Sequence, residues 1–131
     1  MTSPTAIPTR FLAAIEASRQ LLDLGPDWDD EGAAAIDVAT WSRATAFLRS
    51  AIAKSGCGAA LPVPKISACR DGSIDLFWTT TEFRLLINIK ALPQVESDYY
   101  GETVDGFVVK GAFQAEKHDL SVVIKLLLDN A

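Results

Sequence analysis

The sequence is poor in the residues from which most catalytic and metal centres are built: its 131 residues include one histidine and two cysteines. Any triad or histidine-ligated metal site would need His118. It stands between Lys117 and Asp119 in a polar run at a helix start, the setting of a solvated or capping side chain. Cys57 lies in a Gly-Cys-Gly loop and Cys69 in an expected strand. The two form no CxxC pair and no disulfide framework, and Cys57 has no neighbouring base to make it a thiolate. No serine or threonine sits in a nucleophile elbow, and Gly56-Cys-Gly58 lacks the Gly-Lys-Ser/Thr ending of a phosphate loop. No catalytic residue is assigned on these grounds, and no cofactor is expected.

Positive charge is scarce as well. Twelve Lys and Arg against 17 Asp and Glu leave a formal charge of −5, whereas nucleic-acid binders carry a basic patch because phosphate contacts dominate their affinity. Arg10, Arg19, Arg43, Arg49 and Lys54 fall on expected helices and read as separated, solvated cations. Neither nucleic acid nor membrane is expected as a partner. No apolar run approaches the roughly 20 residues that span a bilayer, and Met1-Thr-Ser-Pro-Thr5 lacks the basic and apolar regions of a signal peptide. The expectation is a cytoplasmic protein.

What the sequence does contain is a packed domain. With 49% hydrophobic and 22% charged residues, a chain of this length can bury about two-thirds of its unfolded surface, and 1–131 reads as one domain. Residues 8–24 show helical periodicity through Phe11, Leu12, Ile15, Ser18 and Leu22, stopped by Gly25-Pro26. A second helix is expected over 38–55, with Trp41, Ala44, Leu48, Ala51 and Ile52 as its buried stripe and Gly56 as its end. Asp37 reads as its N-cap, flanked by Ile36 and Trp41 as a hydrophobic staple.

From Pro62 the period changes from 3.6 to 2. Strands are expected over 64–69, 73–79, 83–90, 97–103 and 107–115, then a helix over 119–130. A three-residue loop of Arg70, Asp71 and left-handed Gly72 sets Ala68 against Ile74 and Ile66 against Leu76, which keeps the apolar face continuous. A connection through Thr79-Thr-Thr-Glu82 pairs Trp78 with Phe83, Leu76 with Leu85 and Ile74 with Ile87. The hairpin around Asp105-Gly106 leaves its register open. The fold class is α+β in two layers: an antiparallel sheet of about five strands, with two N-terminal helices and one C-terminal helix on one face.

Trp28-Asp-Asp-Glu-Gly-Ala33 after the first helix, together with Pro64 and the hairpin run Asp71-Gly-Ser-Ile-Asp-Leu-Phe-Trp78, resembles a group of small uncharacterised bacterial proteins. These carry a Trp-Asp-Gly-x-Gly-Ala motif in the same place and a hairpin ending in Trp. The resemblance covers about residues 20–90, and Asp30 stands where that motif has glycine. It implies bacterial origin and fold, with Trp28, Gly32, Gly72 and Trp78 as structural positions, and it implies no activity.

Two surfaces remain as functional candidates. Asp27, Asp29, Asp30 and Glu31 cluster around Trp28, and clustered carboxylates suit hard cations. Their spacing matches no calcium loop, since Gly32 is misplaced and the closing Glu is absent. The structural reading makes Trp28 a plug of the core, with its acidic neighbours facing water or capping backbone amides. On the sheet, Phe77 and Leu86 point away from the helices among Asp75, Arg84, Asn88 and Lys90, with Val108 as a further candidate. Tyr99 and Tyr100, near Glu96, Asp98 and Glu102, read as sheet anchors or as the lining of a polar cleft. The leading expectation is a non-catalytic binding or regulatory module acting through protein contacts, with a homodimer as one geometry. The alternative is a small metal-assisted hydrolase or ligand-binding protein using residues 27–31, with Glu96 or Asp98 as further carboxylates.

Overall fold

A computed structural model describes residues 7–131; the chain start read at Met1–Thr5 lies outside them. The order of elements is α1 (Thr9–Ala17), a 3-10 turn (Ser18–Asp23), α2 (Val38–Ser55), β1 (Lys65–Ala68), β2 (Ile74–Thr79), β3 (Phe83–Ile89), β4 (Ser97–Thr103), β5 (Val108–Phe113) and α3 (Ser121–Asp129). The fold is α+β, with a five-stranded antiparallel sheet in the order β1-β2-β3-β4-β5. Among the described residues no helix is long and apolar enough to cross a membrane.

The helix expected over 8–24 is divided at Ser18. Its buried hydroxyl donates to the Ile15 carbonyl at 2.6 Å and accepts the indole N–H of Trp41 at 2.9 Å. A serine bonded back to an earlier carbonyl competes with the α-helical ladder, and the chain tightens to 3-10 geometry from that point. α2 has the expected bounds and ends on Gly56, whose left-handed φ of 67° favours a residue without a Cβ. Asp37 occupies the N-cap position, but its carboxylate makes no capping bond; Ile36 and Trp41 are both buried. α3 starts at Ser121, two residues later than expected, because Leu120 turns left-handed at φ 57°.

Two of the four antiparallel connections use one device. Cys69 pairs with Ser73 around Arg70-Asp71-Gly72, and Thr103 with Phe107 around Val104-Asp105-Gly106. Gly72 (φ 86°) and Gly106 (φ 90°) each donate their N–H to the residue before the loop at 3.0 Å. The first register is the expected one, Ile66 against Leu76 and Ala68 against Ile74. The same arithmetic settles the last hairpin, which places Glu102 against Val108 and Ser97 against Phe113.

The β2–β3 register differs from expectation by two residues: Trp78 faces Leu85, Leu76 faces Ile87 and Ile74 faces Ile89. A shift of two leaves every side chain on its own face, so the apolar pattern cannot choose between the registers. Thr80 makes the choice. Its N–H donates to the Phe83 carbonyl at 2.8 Å, and its hydroxyl accepts from the N–H groups of Glu82 and Phe83 at 3.1 and 3.0 Å. The turn shrinks to Thr81-Glu82.

Inward residues of the sheet form one buried cluster with Phe11 and Ile15 of α1, Trp41, Phe47 and Leu48 of α2, and Ile124 and Leu127 of α3. Trp78 is 1% exposed and its indole N–H donates to the Pro62 carbonyl at 2.6 Å. Opposite Leu85 and Val109 stands Gly101, where a Cβ would meet Leu127 Cδ2 at 3.2 Å. The missing side chain lets α3 approach the strand.

One cation expected in solvent is inside. The Arg43 side chain is 4% exposed, and all five of its N–H donors are used. Nε and Nη2 reach the Glu116 carboxylate at 2.6 and 3.2 Å, Nη1 the carbonyls of Lys90 and Gln94 at 2.7 and 2.9 Å, and Nη2 that of Val95 at 2.8 Å. The guanidinium thereby joins α2 to the β3–β4 connection and to the turn before α3, and it holds the Glu116 carboxyl below the usual carboxylate range. Arg43→Ala leaves three carbonyls unpaired and should cost about 3–5 kcal/mol in urea unfolding, with Arg43→Lys a poor substitute for a five-donor fork. Glu116→Gln should cost about 1 kcal/mol or less, since that side chain is 59% exposed. Equal losses for Arg43→Ala and Glu116→Gln would show that the ion pair, rather than the carbonyl contacts, carries the stability.

Candidate functional site

The acidic loop is built on left-handed corners at Asp27 (φ 62°), Asp30 (φ 60°) and Gly32 (φ 84°). Asp27 closes it, its N–H donating to the Ala33 carbonyl at 2.7 Å and its Oδ1 accepting the Gly32 N–H at 2.6 Å. Asp29 Oδ1 accepts the N–H groups of Glu31 and Ala33 at 2.9 and 3.0 Å, and its other oxygen pairs with Arg70 Nε. Arg70 also donates to the Glu31 carbonyl, and its own carbonyl accepts from the Ala34 N–H at 2.8 Å. Two of the four carboxylates thus serve the backbone and tie the loop to the β1–β2 turn. Asp30 and Glu31 are exposed. Among the described residues, no group of three or more His, Cys, Asp or Glu side chains is placed to hold a metal ion.

Trp28 does not plug the core as expected. It is half-buried, lies outside the core cluster, and its indole N–H donates to the Ala34 carbonyl at 2.9 Å. Three left-handed corners curl the loop on itself, so Trp28 latches the loop rather than reaching inward. Asp98 is exposed, its carboxylate 3.6 Å from Lys90 Nζ, and Glu96 is exposed on the β3–β4 connection. Asp98 lies in β4 and Glu96 just before it, while the acidic loop is bonded to the turn between β1 and β2.

His118 and Cys69, outside the loop, offer no free base or thiolate. His118 Nδ1 accepts the Gln114 N–H at 3.2 Å, which in the neutral ring leaves the proton on Nε2. Burial pushes the Cys69 thiol up to about 11, with the carboxylates of Asp75 and Asp71 adding to the rise, so it is a thiol and not a thiolate at neutral pH.

The outward face of the sheet is arranged in three cross-strand rows. Thr79, Arg84, Glu102 and Val108 form one, and Ser67, Asp75, Asn88, Asp98 and Ala112 another. The central row runs Lys65, Phe77, Leu86, Tyr100, Lys110. Phe77 and Leu86 are half-buried, Tyr100 is 44% exposed, and Val108 is exposed beside the stripe, opposite Glu102. In the flanking rows Arg84 pairs with Glu102 and Lys90 with Asp98, while Asp75 accepts from the Asn88 amide at 2.8 Å and makes no ion pair among the described residues. Among the described residues Lys65 and Lys110 make no ion pair. Sequence reasoning missed Tyr100 as a member of this stripe because the long β3–β4 connection carries no turn signature that fixes the register setting Tyr100 opposite Leu86. Transferring the Asp71-Gly72 loop arithmetic to Asp105-Gly106 would have placed Lys110 opposite Tyr100. Tyr99 points the other way, its ring 6.1 Å from Phe113 and packed over Gly111.

No family model, curated protein or solved structure matches the chain.

The Asp29 carboxyl is held below its ordinary value of 3.8: burial raises it, and the N–H groups of Glu31 and Ala33 with Arg70 more than reverse that rise. A carboxylate with a depressed folded pKa stabilises fully above its unfolded value and loses that contribution as pH falls through the folded one. Melting temperature measured from pH 7 to pH 2 should therefore fall below about pH 4, and fall less steeply in Asp29→Asn, which is already destabilised at pH 7. Parallel curves for the two proteins would remove Asp29 from the acid sensitivity of the fold.

Proposed function

We propose that this protein is a non-catalytic binding module that acts through protein–protein contacts on the outward face of its sheet. The observation that carries this reading is the alignment of Phe77, Leu86 and Tyr100 in one cross-strand row. With the three helices assigned to the inward side, where their apolar residues join the core, this row is the sheet's uncovered apolar surface. A contiguous accessible stripe of this kind marks a partner surface, whereas scattered apolar residues do not. The alternative, a metal-assisted hydrolase on Asp27, Asp29, Asp30 and Glu31, has less support, because Asp27 and Asp29 already accept backbone N–H bonds. A cytoplasmic setting agrees with unpaired Cys57 and Cys69.

The double variant Phe77→Ser/Leu86→Ser should stay folded, both positions being half-buried on an outer face, and should lose partners that the wild type retains in affinity capture. Light scattering across a dilution series shows at the same time whether that partner is a second copy. Identical retention by both proteins, with identical solution mass, would remove this face from function.

A further inference from the structure

The stripe has charged ends of one sign. Lys65 on β1 and Lys110 on β5 terminate the row that Phe77, Leu86 and Tyr100 fill, and neither is neutralised within the described residues. The cations of the flanking rows, Arg84 and Lys90, are paired with Glu102 and Asp98, and Asp75 is hydrogen-bonded to the Asn88 amide, so Lys65 and Lys110 are the unpaired cations of the face among the described residues, in a chain whose net charge is −5. From the first strand to the last the row crosses four inter-strand steps of about 4.8 Å, roughly 19 Å in all.

Resting on the reading above, we infer that the occupant of this face is an acidic-ended apolar segment of another protein, with carboxylates about 19 Å apart that meet Lys65 and Lys110. A second copy of this chain fits worse. Two sheets usually stack with their strands nearly aligned. A two-fold axis through Leu86 in that arrangement opposes Lys65 with Lys65 or with Lys110, according to its direction. Either way, like charges meet at both ends. A heterologous segment brings opposite charge to both ends and apolar surface to the middle, the arrangement that sets register and discriminates between partners.

The test uses two synthetic amphipathic helical peptides of about 13–16 residues, enough to span about 20 Å. They share one apolar face and differ only in having Glu or Lys at both ends. Titrations followed by NMR should show the Glu-ended peptide perturbing Phe77, Leu86 and Tyr100 and binding at least tenfold more tightly than the Lys-ended one, with the preference weakened by salt. In Lys65→Glu/Lys110→Glu the preference should invert. A smaller preference, or one that survives charge reversal, overturns the acidic-ended partner and leaves the apolar binding face standing. Concentration-dependent dimerisation through the same residues overturns it in favour of a second copy. Perturbation of these residues by neither peptide, with the chain monomeric throughout, overturns both readings.

Discussion

A guanidinium can be buried at low cost only where acceptors converge on all five of its N–H groups, and around Arg43 three carbonyls and one carboxylate do so. The partners come from segments 47 to 73 residues away in sequence. Lys90, Gln94 and Val95 belong to the connection that reverses the chain between β3 and β4, and Glu116 to the turn that delivers α3. Where that connection is pinned, Ser97 can accept the Lys90 N–H at 3.0 Å and start β4 in register. The placement of Tyr100, and with it the completed outer stripe, follows from β4. The cross-strand row thus depends on a buried charge that pins the connection between two of its strands.

The acidic loop shows how a functional signature and a structural one can look alike. Four carboxylates in five residues suit a cation, but left-handed corners expose backbone N–H groups that need acceptors close by. Asp27 and Asp29 supply them, and Arg70 neutralises the second. The bonds also fasten the segment between α1 and α2 to the first hairpin, so the loop helps to set how the helical part meets the sheet.

Much of the fold was legible because strand periodicity and turn chemistry agreed. Gly72 after Asp71 called for a left-handed loop residue, and a three-residue loop, unlike a two-residue one, kept Ile66, Ala68, Ile74 and Leu76 on one face. The β2–β3 register was not legible from that pattern, since a two-residue slip conserves the faces and the deciding contact was the hydroxyl of Thr80. Arg43 was misread from its residue type. Its spacing held the clue, because it shares a helical face with Phe47 and Ala51, four and eight residues on, both buried. Trp28 was misread for the opposite reason: size implied burial, while three successive reversals of backbone handedness kept it at the surface. Phe77, Leu86 and, through the first register, Lys65 were readable; Tyr100 required the β3–β4 register and Lys110 the last one.

The strand order has a kinetic meaning. Each strand pairs with its neighbour in sequence, and the connections between partners are short, the longest being residues 90–96. Closing such loops costs little chain entropy, so the sheet can zip from one hairpin to the next without waiting for distant segments to meet. The long searches are left to the helices and to the single arginine that joins α2 to the β3–β4 connection and to the turn before α3.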